Sequence, residues 1–155
     1  MQRAMFLEFP EDPTTHHLDR QFMLGPALLV APVFVPEGEE SEYYLPKGLW
    51  TSFFYPDRTI EGPQWVREVV PLNEIPVWVR QGSVLCLGPE NQGRPDYDYT
   101  KGLEVRVYNL PEGQTVLVEV PTGAGMNIAG TIKVENKEGN IVTTTDGDLQ
   151  VVQTV

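Results

Sequence analysis

Cysteine, basic side chains and long apolar runs are what this chain of 155 residues has least of. Cys86 stands alone, so neither an intrachain disulfide nor a cysteine-based zinc site can form. Eleven Lys and Arg face 22 Asp and Glu, for a net charge of −11. The excess is −7 over residues 1–101 and −4 over residues 102–155, so neither part is basic. Nucleic acid and anionic membrane thereby lose their main attraction, and neither is expected as a partner. No apolar run reaches the roughly 18 residues that a spanning helix needs. Glu8 and Pro10 interrupt the N-terminal stretch before an apolar segment of signal-peptide length develops. The expectation is a soluble protein with no signal peptide in view and its compartment left open. The only histidines, His16 and His17, are adjacent and cannot share a metal as an i, i+4 helical pair could. No metal and no cofactor are expected.

Apolar residues make up 41% of the chain, enough to fill a core and to exclude a disordered reading. Fourteen Gly and 14 Pro favour a strand- and loop-rich chain over a helical bundle. Residues 2–9 read as a strand stopped by Pro10, and residues 14–23 as a short helix with Leu18, Phe22 and Met23 on one face. The unbroken apolar run 27–35 reads as a strand buried on both faces, as in a parallel sheet. Strand, helix and strand would make one βαβ unit. Alone it would leave a sticky edge, so it is expected to belong to a larger parallel sheet or barrel outside this chain.

After the acidic connector 37–42, short strands alternate with turns. Tyr43-Tyr44-Leu45 leads into Pro46-Lys47-Gly48, a turn signal, and the aromatic strand 49–55 follows. Strands over 65–70, 75–79 and 83–87 come next, a spacing that suggests an antiparallel sandwich. Residues 88–101 read as a polar hinge. Beyond it Leu103, Val105 and Val107 alternate with Glu104, Arg106 and Tyr108. Strands over 115–120, 129–134 and 140–145 complete a second all-β unit, with a turn at Lys137-Glu138-Gly139.

The stretch Arg3-Ala-Met-Phe-Leu-Glu-Phe-Pro-Glu-Asp-Pro13, followed by Asp19-Arg-Gln-Phe-Met-Leu-Gly-Pro-Ala-Leu-Leu-Val-Ala-Pro-Val33, resembles glycoside hydrolase family 31. Tyr44-Leu-Pro-Lys-Gly-Leu-Trp50 and Ile75-Pro-Val-Trp-Val-Arg-Gln-Gly-Ser83 are similar to its proximal C-terminal β-sandwich. Leu87-Gly-Pro-Glu-Asn-Gln-Gly-Arg-Pro-Asp-Tyr97 looks most like the α-xylosidase branch. The resemblance implies a mainly β chain in three parts. Residues 1–35 would be the last two strands of a (β/α)8 catalytic barrel, 36–101 the proximal sandwich, and 102–155 an incomplete distal sandwich. It also implies a retaining α-glycosidase that hydrolyses terminal α-linked sugars with two Asp carboxylates about 5–5.5 Å apart. In the family both Asp lie on barrel strands before the segments matched here. No residue of this chain is therefore expected to be catalytic, and the chain alone is expected to be inactive.

Barrel active sites lie at the carboxyl ends of strands. On that basis Glu8, Phe9 and Phe34 are the candidates for lining the cleft of an intact enzyme, and Glu8 would need a partner. Trp78 lies on the strand face opposite Val77 and Val79 and is a further substrate-binding candidate. Asp96 and Asp98 read as solvated hinge acids, and Asp146-Gly147-Asp148 as a turn lacking the remaining ligands of a calcium loop. The first reading is thus the non-catalytic, structural C-terminal part of an α-xylosidase- or α-glucosidase-like enzyme. Its partners would be the catalytic barrel and, through the parent enzyme, an uncharged carbohydrate. The alternative is a stand-alone carbohydrate-binding module using Trp50, Trp65 and Trp78, and a third reading is an interaction domain without ligand.

Overall fold

The computed structural model describes residues 1–89, 98–122 and 127–154, leaving out the side chains of 153 and 154. The chain divides into two compact units, Met1–Gln81 and Gly82–Val155. This division does not coincide with boundaries at 35/36 and 101/102. No helix among the described residues is long and apolar enough to cross a membrane.

In the first unit the elements are β1 (Gln2–Ala4), α1 (Met5–Glu8), a 3-10 turn (Pro13–His17), β2 (Phe22–Leu24), β3 (Leu28–Val30), β4 (Glu40–Ser52), β5 (Thr59–Val69) and β6 (Val77–Arg80). The strands form one sheet in the order β1-β2-β3-β6-β4-β5. Every pair in it is antiparallel. The parallel βαβ unit expected from residues 1–35 does not form, so nothing here displays the end of a parallel barrel. The physical reason is local. Asp12 caps Pro13–His17 by accepting from the Thr14 amide at 3.0 Å. The Thr15 hydroxyl, fully buried, closes the turn on the Phe9 and Asp12 carbonyls at 2.9 and 2.7 Å. Phe22 and Met23 are then free to extend rather than continue a helix. Gly25-Pro26-Ala27 link β2 directly to β3, and a parallel crossover would need about a dozen residues or more.

β4 is the spine of the unit. Opposite it, Leu45 pairs with Gln64 but Gly48 with Gly62, so β4 carries one residue more than β5 across this interval. Such a bulge flips the side-chain parity. Tyr43 and Leu45 enter the core from odd positions before it, and Trp50 from an even position after it. The expected turn at Pro46-Lys47-Gly48 is this bulge, inside a continuous strand. Gly62 is required opposite it, because a Cβ there would lie 2.1 Å from the Pro46 carbonyl oxygen. The core gathers Met5, Met23, Leu29, Ala31, Tyr43, Leu45, Trp50, Val66 and Trp78. Full burial of any of the larger of these side chains is worth about 1.5–3 kcal/mol.

The second unit consists of β7 (Ser83–Leu87), β8 (Leu103–Tyr108), β9 (Thr115–Pro121), β10 (Ile128–Lys137), β11 (Asn140–Gly147) and β12 (Val151–Thr154). Two three-stranded sheets, β12-β8-β7 and β11-β10-β9, share one core of Leu103, Val105, Leu110, Val120, Ile132 and Val134. That is a small sandwich in which β7, expected in the proximal sandwich, pairs with β8, and β12 joins β8 in parallel. The expected hairpin at 137–139 forms with Lys137 opposite Asn140. Both connecting residues, Glu138 (φ 53) and Gly139 (φ 82), are left-handed, the signature of a type I′ turn.

Candidate functional site

Glu8 ends α1 with its side chain only 14% exposed. It meets Arg3 at 2.8 Å through one carboxylate oxygen and Arg80 at 2.9 Å through the other. Arg80 closes β6, 72 residues away, and its guanidinium lies 5.0 Å from the centre of the Phe9 ring. Phe9 in turn meets buried Trp50 edge-on at 6.2 Å. Glu8 and Phe9 therefore come together, as parts of a clamp that fastens the β1–α1 corner to β6. The partner that Glu8 needs is a pair of arginines. Arg3 and Arg80 were not singled out from the sequence, and nothing local to Arg80 signals a contact so distant in the chain.

Trp78 is 1% exposed and points into the core, not outward. Its indole N–H donates to the Tyr43 hydroxyl at 3.0 Å. Tyr43 donates to one carboxylate oxygen of Glu68, and the other oxygen pairs with Arg58 at 2.7 Å. Arg58 returns to the start, lying 4.9 Å from the centre of a Trp78 ring. Burial, helped by the Glu68 carboxylate, pushes the Tyr43 hydroxyl well above its ordinary titration range. Tyr43 and Glu68 meet because Tyr43 pairs with Val66, so that Glu68 is its diagonal neighbour on β5. This closed loop fixes the indole within the core.

Phe34 is 63% exposed, and none of Glu8, Phe9 and Trp78 lines the cleft it faces. It lines a cleft of about 370 Å³ together with Trp65, which is 48% exposed. Trp50 and Trp78 are both buried, so a platform of three tryptophans does not form. Asp98 accepts from the amide and hydroxyl of Thr100 at 3.0 and 2.6 Å and pairs with Lys101 at 2.9 Å. The Thr100 hydroxyl, then Lys101, then the Thr100 amide hold its carboxyl down at about 2. It is a turn-closing residue. Asp96 and most of the 87–97 motif lie outside the described residues. His16 contacts the Pro10 carbonyl at 3.1 Å, and Asp146 and Asp148 are exposed at the end of β11. Among the described residues no group of three or more His, Cys, Asp or Glu is placed to hold a metal. Cys86 packs beside the second core, and burial raises its thiol, which makes it a poor nucleophile.

The acidic residues show what the arrangement can do chemically. Six described carboxylates are partly buried: Glu8, Asp12, Glu68, Glu74, Glu104 and Glu135. Each holds a partner: arginines for Glu8, Glu68 and Glu104, tyrosine hydroxyls for Asp12 and Glu74, and two lysines for Glu135.

Two family models match the chain. The glycosyl hydrolase family 31 C-terminal domain covers residues 1–85, and the C-terminal domain of alpha-xylosidase YicI covers residues 98–154. Alpha-xylosidase XylQ of Lactiplantibacillus pentosus is 37% identical over 152 residues, covering 95% of this chain and 19% of that protein. An alpha-xylosidase of Saccharolobus solfataricus is 32% identical, covering 70% of this chain and 15% of that protein. Among solved structures, a GH31 dextranase of Flavobacterium johnsoniae complexed with glucose superposes with a TM-score of 0.76 at 26% identity. That match covers 92% of this chain and 18% of the dextranase. The GH31 alpha-xylosidase of Xanthomonas citri gives a TM-score of 0.74 at 28% identity, over 96% of this chain and 17% of that one. The chain therefore spans less than a fifth of the length of these relatives.

Proposed function

The chain belongs to glycoside hydrolase family 31, and from that premise we propose that it is the non-catalytic, structural C-terminal portion of a retaining, α-xylosidase-like α-glycosidase. It matches the C-terminal part of family members named as α-xylosidases and α-glucosidases. The observation that carries the structural role is that every partly buried carboxylate among the described residues is tied to a partner. A retaining mechanism needs one carboxylate able to attack and another able to shuttle a proton, about 5–5.5 Å apart, and these six are each engaged with a side chain of the fold instead. In this reading the hydrolysis of a terminal α-linked, uncharged sugar belongs to a barrel outside these residues. The antiparallel pairing of β1 to β3 favours placing residues 1–35 with the sheet that packs on such a barrel, rather than within the barrel. Phe6 and Leu7 on α1, 46% and 61% exposed, offer that barrel an apolar contact.

The test is turnover of nitrophenyl α-xyloside. The isolated chain is expected to show none above the buffer rate. Grafted in place of the corresponding segment of XylQ, it is expected to restore a soluble, active enzyme that the truncated XylQ cannot form. Turnover by the isolated chain, or full activity of truncated XylQ without it, overturns the reading.

A further inference from the structure

We propose that the cleft between the 3-10 turn and the β4–β5 edge of the first unit binds a neutral saccharide. Single exposed rings on a protein surface need no explanation. Here two of them, Phe34 and Trp65, line the same cleft of about 370 Å³. A concave site with aromatic walls and a few polar groups is the usual form of a small-molecule pocket. The Trp65 ring is held in place: it rests against Tyr44 with centroids 5.3 Å apart. Tyr44 is anchored in turn by its hydroxyl, which donates to Asp12 at 2.8 Å. The Gln21 side chain, which also lines the cleft, exchanges two hydrogen bonds with the Tyr44 backbone at 2.7 and 2.8 Å. The wall is therefore preformed.

The polar groups of the cleft are of two kinds. Glu42 is committed to Arg67. Asp19, Arg20 and Glu40 line the same cleft, are exposed, and hold no side-chain hydrogen bond or ion pair among the described residues. A pyranose presents apolar C–H faces that stack on aromatic rings. Its neighbouring hydroxyls pair with planar groups such as carboxylate and guanidinium, which accept or donate in twos. The charge selects among sugars. With Glu42 neutralised by Arg67, Asp19 and Glu40 still outnumber Arg20 in the cleft, and the whole chain carries −11, so an anionic sugar is repelled and a neutral one is not. The inference stands on this geometry and does not rest on the role proposed above.

The experiment uses the intact chain. It is titrated with isomaltotriose and with a neutral xyloglucan heptasaccharide, with a galacturonate trimer as the anionic control, by calorimetry and tryptophan fluorescence. Trp65 is the one exposed tryptophan of the three, so it reports the cleft. Saturable binding of a neutral sugar is expected, with a change in emission. Trp65→Ala and Phe34→Ala should each weaken it by about tenfold or more, and Arg20→Gln severalfold. Phe34→Ala removes a largely solvated side chain, so it keeps the test decisive if Trp65→Ala disturbs folding. A flat titration with both neutral sugars, unchanged affinity in both aromatic variants, or preference for the galacturonate overturns the proposal. None of these outcomes bears on the XylQ graft, whose readout is turnover.

Discussion

Replacing Tyr43 with Phe removes one oxygen atom, which leaves a buried donor without its acceptor and a half-buried carboxylate with one partner fewer. The Trp78 indole N–H loses its acceptor at 3.0 Å, in a site where Trp78 is 1% and Tyr43 2% exposed. An unsatisfied buried donor costs about 1–3 kcal/mol. The Glu68 carboxylate loses a donor as well, and a bond to a charged acceptor is worth about 1.5 kcal/mol or more before allowance for solvent. Glu68 keeps Arg58 and is 23% exposed, so this second part is discounted to roughly half. The expected loss is about 2–4 kcal/mol for the first unit. All three tryptophans lie in that unit, so urea unfolding followed by tryptophan fluorescence isolates it. Trp78→Phe in the Tyr43→Phe background should cost about 1–2 kcal/mol less than in the wild type, because the orphaned N–H is gone. There is also a pH signature. Tyr43 titrates higher in the fold than its ordinary value of 10.0, first through burial and then through Glu68. Its neutral form is thus the one the fold holds, and its contribution is complete below pH 10 and lost as pH rises toward the folded value. Between those limits this residue should steepen the alkaline fall by up to about 1.4 kcal/mol per pH unit, and Tyr43→Phe should remove that increment. A Tyr43→Phe variant within about 0.5 kcal/mol of wild type, or strict additivity with Trp78→Phe, refutes the hydrogen-bonded loop.

Glu8→Gln keeps a hydrogen-bonding group but drops the charge between Arg3 and Arg80. Both arginines are more than a third exposed, so the loss should be modest, about 1 kcal/mol by the same urea assay, and should shrink in high salt. Gly130→Ala should be far worse. A Cβ there falls 2.2 Å from the Asp146 carbonyl oxygen, an atom fixed by the β10–β11 ladder, and 2.9 Å from Leu149. A loss of about 3 kcal/mol or more in the second unit is expected, seen as lost amide protection in β10 and β11. Thr100→Val should raise the Asp98 carboxyl midpoint from about 2 toward 3.8, read by carbonyl chemical shift during an acid titration. Asp98 is depressed in the fold, so what it adds is present above 3.8 and lost as pH falls through about 2, and the variant should soften that acid limb.

Local pattern made β8 to β11 legible, but neither the pairing of β7 with β8 nor the parallel β12. The alternation of Leu103, Val105 and Val107 marks β8, and the Glu138-Gly139 connection is chemistry that a two-residue hairpin demands. The first unit is harder because its decisive features are not local. Pro46-Lys47-Gly48 carries the residues of a turn, and a bulge uses the same ones; only the register against Gln64 and Gly62 tells them apart. Leu18, Phe22 and Met23 fit a helical face as well as they fit a turn followed by a strand, and the Asp12 cap decides for the second. Trp78 sits on a strand paired on both sides, with Val79 also buried, so alternation cannot say which face meets water. The need of Glu8 for a partner could be stated from its position, but not that Arg80 would supply it.

The clamp around Glu8 bears on how a four-residue helix can serve a structural role. α1 is far too short to hold itself, since helices shorter than about 12 residues are marginal in water. It is instead pinned at both ends. Met5 is fully buried in the core, and Glu8 and Phe9 are bound to arginines and to Trp50. Between these anchors Phe6 and Leu7 are left facing solvent. A pair of apolar side chains in a loose corner would collapse onto the nearest apolar surface. Held between a buried methionine and a doubly paired carboxylate, they are displayed instead, their rotamers the main freedom left to lose on contact. Under the proposed role this lowers the cost of docking a barrel. Glu8→Gln should then weaken the activity of the XylQ graft by more than its loss of stability alone accounts for. Equal loss of activity and of folded fraction would show the clamp to be a fold element only.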